Sequence, residues 1–218
     1  MTAFVFASPT SQSRAAENGD EGTGGWGDAY RIVPAASGHE AGMVALAARV
    51  RAAPGSVYPQ TVDAAEETMR RWLYAYDTEH RFVAESEHGA VVGICFVFAP
   101  GAGDPGLRGA VPDAVGNASE IGRLLVDPAW RCRGVGAALL SAATQAVHRS
   151  GRDAVLCVLD ASTDARGLYA AQGWQRVGGW VSGKTGLVHE GWIMPAPERR
   201  MRAARPPHVR AGTTLGMS

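Results

Sequence analysis

The chain has 218 residues, 46% of them hydrophobic, and a formal net charge of zero. That is enough for one ordinary core with tails, and it supplies no long-range field to draw in nucleic acid or an anionic membrane. The three cysteines, Cys95, Cys132 and Cys157, show no paired or metal-ligand spacing, so a reducing compartment and no metal are expected. No apolar run approaches the ~20 residues of a membrane span, and the opening MTAFVFASPTSQSR has no basic n-region. The expected location is the cytoplasm.

Residues 1–28 are rich in Ser, Gly, Asp and Glu and read as a flexible tail. AYRIVPA (29–35) reads as a strand. EAGMVALAARVRA (40–52) spaces Met43, Leu46, Ala47 and Val50 on one helical face. Thr61 can cap a second helix over 61–80, acidic early and basic later, as the helix dipole favours. Glu66 and Glu67 on it are expected to face water. RFVAES (81–86) and AVVGICFVFA (90–99) form a hairpin around the short turn EHG. Residues 100–119 read as a Gly/Pro loop, a lid or a simple insertion. Then come a strand (119–126), a small-residue helix (134–150, with Val135, Leu139, Ala142 and Ala146 inward), a strand (153–160) and a helix (163–173) ended by Gly173. Two more strands (174–181 and 187–194) complete an α/β domain with a mixed sheet over 29–195. Residues 196–218, rich in Arg and Pro, read as a second flexible tail.

GGWVSGKT (178–185) matches the phosphate-loop pattern G-x-x-x-x-G-K-[ST]. The chemistry of that loop needs a helix directly after it, whose amides hold the phosphates. The residues after Thr185 alternate like a strand. A hairpin turn is the better reading, and ATP or GTP binding there is rejected.

LLVDPAWRCRGVG (124–136) is in a better setting. A strand ends at Val126, Asp127-Pro128 turns the chain, and Gly134 and Gly136 lead into a helix. Free amides and the dipole at such a terminus favour an anion, and Arg131 and Arg133 add charge. The alternative is a plain Gly-containing turn.

These residues resemble the Gcn5-related N-acetyltransferase (GNAT) superfamily. Its [QR]-x-x-G-x-[GA] motif stands here as Arg131-Cys132-Arg133-Gly134-Val135-Gly136, preceded in register by Leu124-Leu125-Val126-Asp127-Pro128. A second family motif is matched by Ser162 through Tyr169 to Gly173-Trp174. The resemblance covers 29–194 and implies a GNAT-like, mostly antiparallel central sheet flanked by helices. It implies acetyl-CoA as co-substrate, with pyrophosphate on the amides of Arg131, Cys132, Arg133, Gly134, Val135, Gly136 and Ala137. The pantetheine arm would pair with Leu124, Leu125 and Val126. Tyr169 would be the general acid toward the leaving thiolate, or else a packed helical tyrosine. Trp174 is expected in the core. Glu120 would be the base; by period two it shares a face with Gly122, Leu124 and Val126, and the alternative is a solvated strand-end glutamate. Ser162 replaces the family's common Asn at the coenzyme arm. Cys132 is a tolerated position in the loop, or a thiol whose oxidation blocks it.

The implied activity is direct acetyl transfer in a ternary complex to a primary amine, on a small molecule or a protein. The acceptor side would include Pro54–Pro59 with Tyr58, and Ser182–Gly186 with Lys184. Trp26, Trp72, Trp180, Trp192 and His189 are further wall candidates. The other reading is a non-catalytic module that binds acyl-CoA or a partner protein. No nucleic acid or membrane is expected as partner. A homodimer, the commonest oligomer, is compatible with the chain.

Overall fold

The computed structural model describes residues 30–54, 56, 65–110, 117–183 and 186–199. In chain order the elements are β1 (Tyr30–Pro34), α1 (Glu40–Ala52), α2 (Glu66–Leu73), β2 (Thr78–Ser86), β3 (Val91–Phe98), α3 (Pro105–Ala110), β4 (Ala118–Val126), α4 (Val135–Arg149), β5 (Asp153–Leu159), α5 (Thr163–Ala171), β6 (Gln175–Val181) and β7 (Val188–Met194). The strands form one seven-stranded sheet in the order β1-β2-β3-β4-β5-β7-β6. Among the described residues only the β4–β5 pair is parallel; the mixed, mostly antiparallel sheet is as expected.

Helices cover both faces. On one, Val135, Leu139, Leu140, Ala143 and Val147 of α4 and Tyr169 of α5 pack with Ile121, Leu156, Trp174 and Trp192. On the other, Met43, Leu46, Ala47 and Val50 of α1 and Met69 and Leu73 of α2 pack on Ile94, Phe96, Phe98 and Leu125. A smaller cluster of Leu107, Ala118 and Val155 lies on that second face, since Val155 points away from Ala154 and Leu156.

Three expectations change. The second helix stops at Leu73, and Thr78–His80 already belong to β2, because Thr78 and His80 pair with Phe98 and Val97 and sheet bonding there replaces helix bonding. Residues 61–64 of that predicted helix lie outside the described residues. Loop 100–119 contains α3, whose start is the capping signal Asp104-Pro105: Asp104 Oδ1 accepts from the Gly106 amide at 2.7 Å. On α4, Ala143 takes the inward place predicted for Ala142, which is only half-buried, while Ala146 is buried as expected. Glu66 and Glu67 are exposed as expected, and Glu67 pairs with Arg71.

Residues 1–29 and 200–218 lie outside the described part, and with them most of both predicted tails. Ala196–Arg199 are attached to the sheet: the Ala196 amide donates to Asp153 Oδ1 at 2.8 Å and Arg199 pairs with Asp153 Oδ2 at 3.0 Å. Among the described residues no helix is long and apolar enough to cross a membrane.

Candidate functional site

The site is built where β4 and β5 part. They share three rungs, Ala118↔Asp153, Ser119↔Ala154 and Glu120↔Val155. Beyond these, β4 continues only along β3 and β5 only along β7. The facing edges of 121–126 and 156–159 therefore border an open wedge with no rung across it.

A β-bulge in β4 accompanies the parting. Phe96 faces Gly122 and Ile94 faces Leu125, so β4 advances three residues while β3 advances two. Arg123, at φ 55°, carries the irregularity. Its guanidinium is held 4.0 Å over the Trp72 ring and donates to the Trp72 carbonyl at 2.9 Å. The extra residue reverses the alternation of faces. Glu120 and Gly122 stay on the α1–α2 side, whereas Leu124 and Val126 turn to the α4 side with Ile121. Glu120 thus shares a face with Gly122 but not with Leu124 or Val126, which corrects the period-two expectation.

At the wedge mouth, Asp127 caps a short 3-10 turn by accepting from the Ala129 amide at 3.0 Å. Cys132 (φ 59°) and Gly134 (φ 80°) both take left-handed conformations on the way into α4. Such a kinked run of amides makes an anion-binding concavity. Gly134 has no side chain to cap α4, so among the described residues no N-cap side chain occupies the first-turn amides. Arg131, Cys132 and Arg133 are exposed, Val135 is buried, and Gly136 and Ala137 are half-buried. Arg133 sits over the Trp130 ring at 5.2 Å.

α5 is docked onto the first turn of α4. Gln172 Nε2 donates to the Ala137 carbonyl at 2.9 Å, and Leu168 lies against Gly136. Tyr169 is the buried residue of α5 and packs into the core on the α4 side of the sheet. The Tyr169 ring is 6% exposed and lies between Trp174 and Trp192, with centroids 6.2 and 6.0 Å away. Ser162 stands at the N-terminus of α5 with its hydroxyl capping no amide. Trp174 and Trp192 are core residues on this face.

On the opposite face lies Glu120, 8% exposed. Its Oε2 accepts from the Asp104 amide at 2.8 Å, and the Cys157 thiol donates toward Oε1 at 3.8 Å. Burial, reinforced by the Asp104 carboxylate, pushes the Glu120 carboxyl up to about 7, against the opposing pull of the Asp104 amide and of Arg123. Burial and the same carboxylates push the Cys157 thiol up as well. The 101–110 segment covers this spot. A Cβ on Gly103 would collide with Glu120, and one on Gly106 with the Trp180 indole. Trp180 in turn stacks on His189, 5.5 Å apart at 18°.

Glu120 is a candidate from the sequence; its company is not. Asp104, Cys157 and Arg123 come from separate elements, and no local spacing announces them. Tyr169 and Glu120 lie on opposite faces of the sheet: Tyr169 is in the α4-side core, and Glu120 meets Asp104, Gly103 and Cys157 on the other face. Gly178–Val181 of GGWVSGKT belong to β6, the Ser182 amide donates to the Leu187 carbonyl, and β7 rather than a helix comes next, so β6 and β7 form a hairpin. Tyr58, Trp26 and Lys184 lie outside the described residues. Trp72 is engaged with Arg123.

Comparison with known proteins agrees with this geometry. The model of the acetyltransferase (GNAT) family matches residues 47–174. A GNAT-family acetyltransferase from Staphylococcus aureus Mu50 is similar at a TM-score of 0.55 and 12% identity, over 76% of this chain and 98% of that one. The ribosomal-protein-S18-alanine N-acetyltransferase of Escherichia coli is similar at 0.54 and 15%, over 86% and 99%. YncA from Salmonella typhimurium, solved with its cofactor acetyl-CoA, is similar at 0.55 and 20%, over 78% and 96%. At these identities the structures speak for the fold alone. No curated protein matches the chain significantly by sequence. With the family model spanning more than half of the chain, on the strands and helices that build the wedge, the chain belongs to the acetyltransferase (GNAT) family.

Proposed function

We propose that this protein transfers an acetyl group from acetyl-CoA directly to a primary amine held in the same complex. The observation that carries the reading is the wedge between β4 and β5, which leads to the uncapped N-terminus of α4. An extended amide-bearing arm fits there. It can bond the β4 edge at Leu124, Leu125 and Val126, while a pyrophosphate takes the amides of Arg131–Ala137.

Chemically, the amine nitrogen attacks the thioester carbonyl, the carbon–sulfur bond breaks, and one proton must leave the nitrogen while one reaches the thiolate. Glu120, ionising near neutrality, suits the first transfer. Tyr169 is the candidate for the second. A backbone amide of β4 would steady the oxyanion. Ser162 would bond the coenzyme arm. The cytoplasm is the matching location for an acetyl-CoA-dependent enzyme.

The non-catalytic reading has one observation in its favour, the enclosure of Tyr169 between two tryptophans. Calorimetric titration with acetyl-CoA, together with mass-spectrometric detection of acetylated product across a panel of amines, separates the two. Binding with product supports the enzyme. Binding without product on any amine supports an acyl-CoA-binding module, and no binding removes both of these and leaves the partner-binding module.

A further inference from the structure

The α1–α2 side of the sheet, beside Glu120, holds a donor set that acetyl transfer does not require. Asp104, Cys157 and His189 each offer one ligand atom, and the three atoms lie within 4.8 Å of one another. They come from three separate places: the covering segment before α3, β5 and β7. Cys157 and His189 are diagonal neighbours on the β5–β7 ladder, where Cys157 faces Gly191 and Leu159 faces His189. Atoms this close can all be reached by an ion at most about 2.8 Å from each, within a small inward shift of zinc bond lengths. A second observation points the same way. His189 Nδ1 is buried and has no hydrogen-bond partner among the described residues, while its ring plane is fixed by Trp180. A polar nitrogen in that state is costly unless something binds it.

We propose that Asp104, Cys157 and His189 form a binding site for a zinc-class divalent cation, which ties the 101–110 segment to the sheet. Thiolate, imidazole and carboxylate together are a zinc donor set, and the sulfur disfavours magnesium and calcium. Binding releases the thiol proton of Cys157 as the metal–sulfur bond forms. Three protein ligands leave a fourth position open to water or to the carboxylate of Glu120, whose Oε1 is already 3.8 Å from Cys157 Sγ.

The test uses the full chain stripped with chelator and titrated with Co²⁺, then with Zn²⁺ in competition. The expected result is one equivalent of Co²⁺ with a thiolate-to-cobalt charge-transfer band, displaced by Zn²⁺. Cys157→Ser should abolish the band, His189→Ala should weaken affinity by more than the ~10–100-fold that loss of an outer-shell partner costs, and Cys132→Ser should keep the band. Hydrogen exchange across 101–110 should slow when Zn²⁺ is added. No band, or a band that survives Cys157→Ser, overturns the site. If Cys157→Ser fails to fold by circular dichroism, Asp104→Asn decides: weakened Zn²⁺ binding supports the site and unchanged binding overturns it.

Discussion

The Asp104 amide donates to Glu120 Oε2 at 2.8 Å, joining two residues that lie sixteen apart in sequence and on different elements. This bond closes the 101–110 segment over a carboxylate that burial has pushed up to about 7. The region predicted as a lid or insertion is thus the wall that sets the acidity of the candidate base.

That acidity implies a pH dependence. The groups facing Glu120 are Asp104, Arg123 and Cys157. In metal-free protein kcat/KM should rise with pH through about 7, as the base ionises, and Glu120→Gln should flatten that limb and lower the rate about a hundredfold. The stability sign runs the other way. Below the free value of 4.5 both folded and unfolded states hold the proton, and the penalty for ionising Glu120 enters above it and is complete beyond about 7. Glu120→Gln should therefore stabilise the fold at pH 8, by on the order of 3 kcal/mol, and little at pH 4. Denaturant melts at the two pH values check this; equal effects at both would refute the buried-carboxylate account.

Tyr169→Phe keeps the ring between Trp174 and Trp192 and removes only the hydroxyl. Turnover should fall about a hundredfold with little change in acetyl-CoA affinity. Retained turnover would leave Tyr169 a packing residue.

At Gly134, φ 80° is a conformation in which only glycine is unstrained. Gly134→Ala should cost about 1 kcal/mol of stability and weaken acetyl-CoA binding. Gly134→Asp adds bulk and like charge at the anion site and should abolish binding in calorimetry. Undiminished affinity in the aspartate variant would move the pyrophosphate elsewhere.

Behind the bulge, a Cβ on Gly122 would meet the Phe98 ring at 2.6 Å. Gly122→Ala should destabilise by about 1–3 kcal/mol through overpacking. Thermal melts measure this, and a neutral result would show that Phe98 can yield.

Asp153, 2% exposed, anchors Ala196 and Arg199 to the start of β5. Asp153→Ala leaves the buried Ala196 amide unsatisfied and should cost about 1–3 kcal/mol. Proteolysis should then cut the C-terminal segment nearer to Met194; an unchanged cleavage site would argue against the anchor.

The sequence alone determined whatever depends on neighbours along the chain. The strand-loop-helix turn proposed to hold the anion is legible at Arg131–Gly136 because a helix N-terminus supplies its own amides, and glycine at 134 is demanded by local backbone geometry. α1 is legible at 40–52 because its apolar period is local too. α3 has a local signal too, in Asp104-Pro105, but the Gly/Pro richness of 100–119 masks it and the segment reads as a loop. The rest was decided by tertiary structure. One extra residue in β4 reverses the alternation after Gly122, and no period-two count can register an insertion defined only against β3. Asp104, Cys157 and His189 meet through the crossing of three distant segments. The acidity of Glu120 is set by burial under one of those segments, and burial is a property of the packed chain that no stretch of sequence carries by itself.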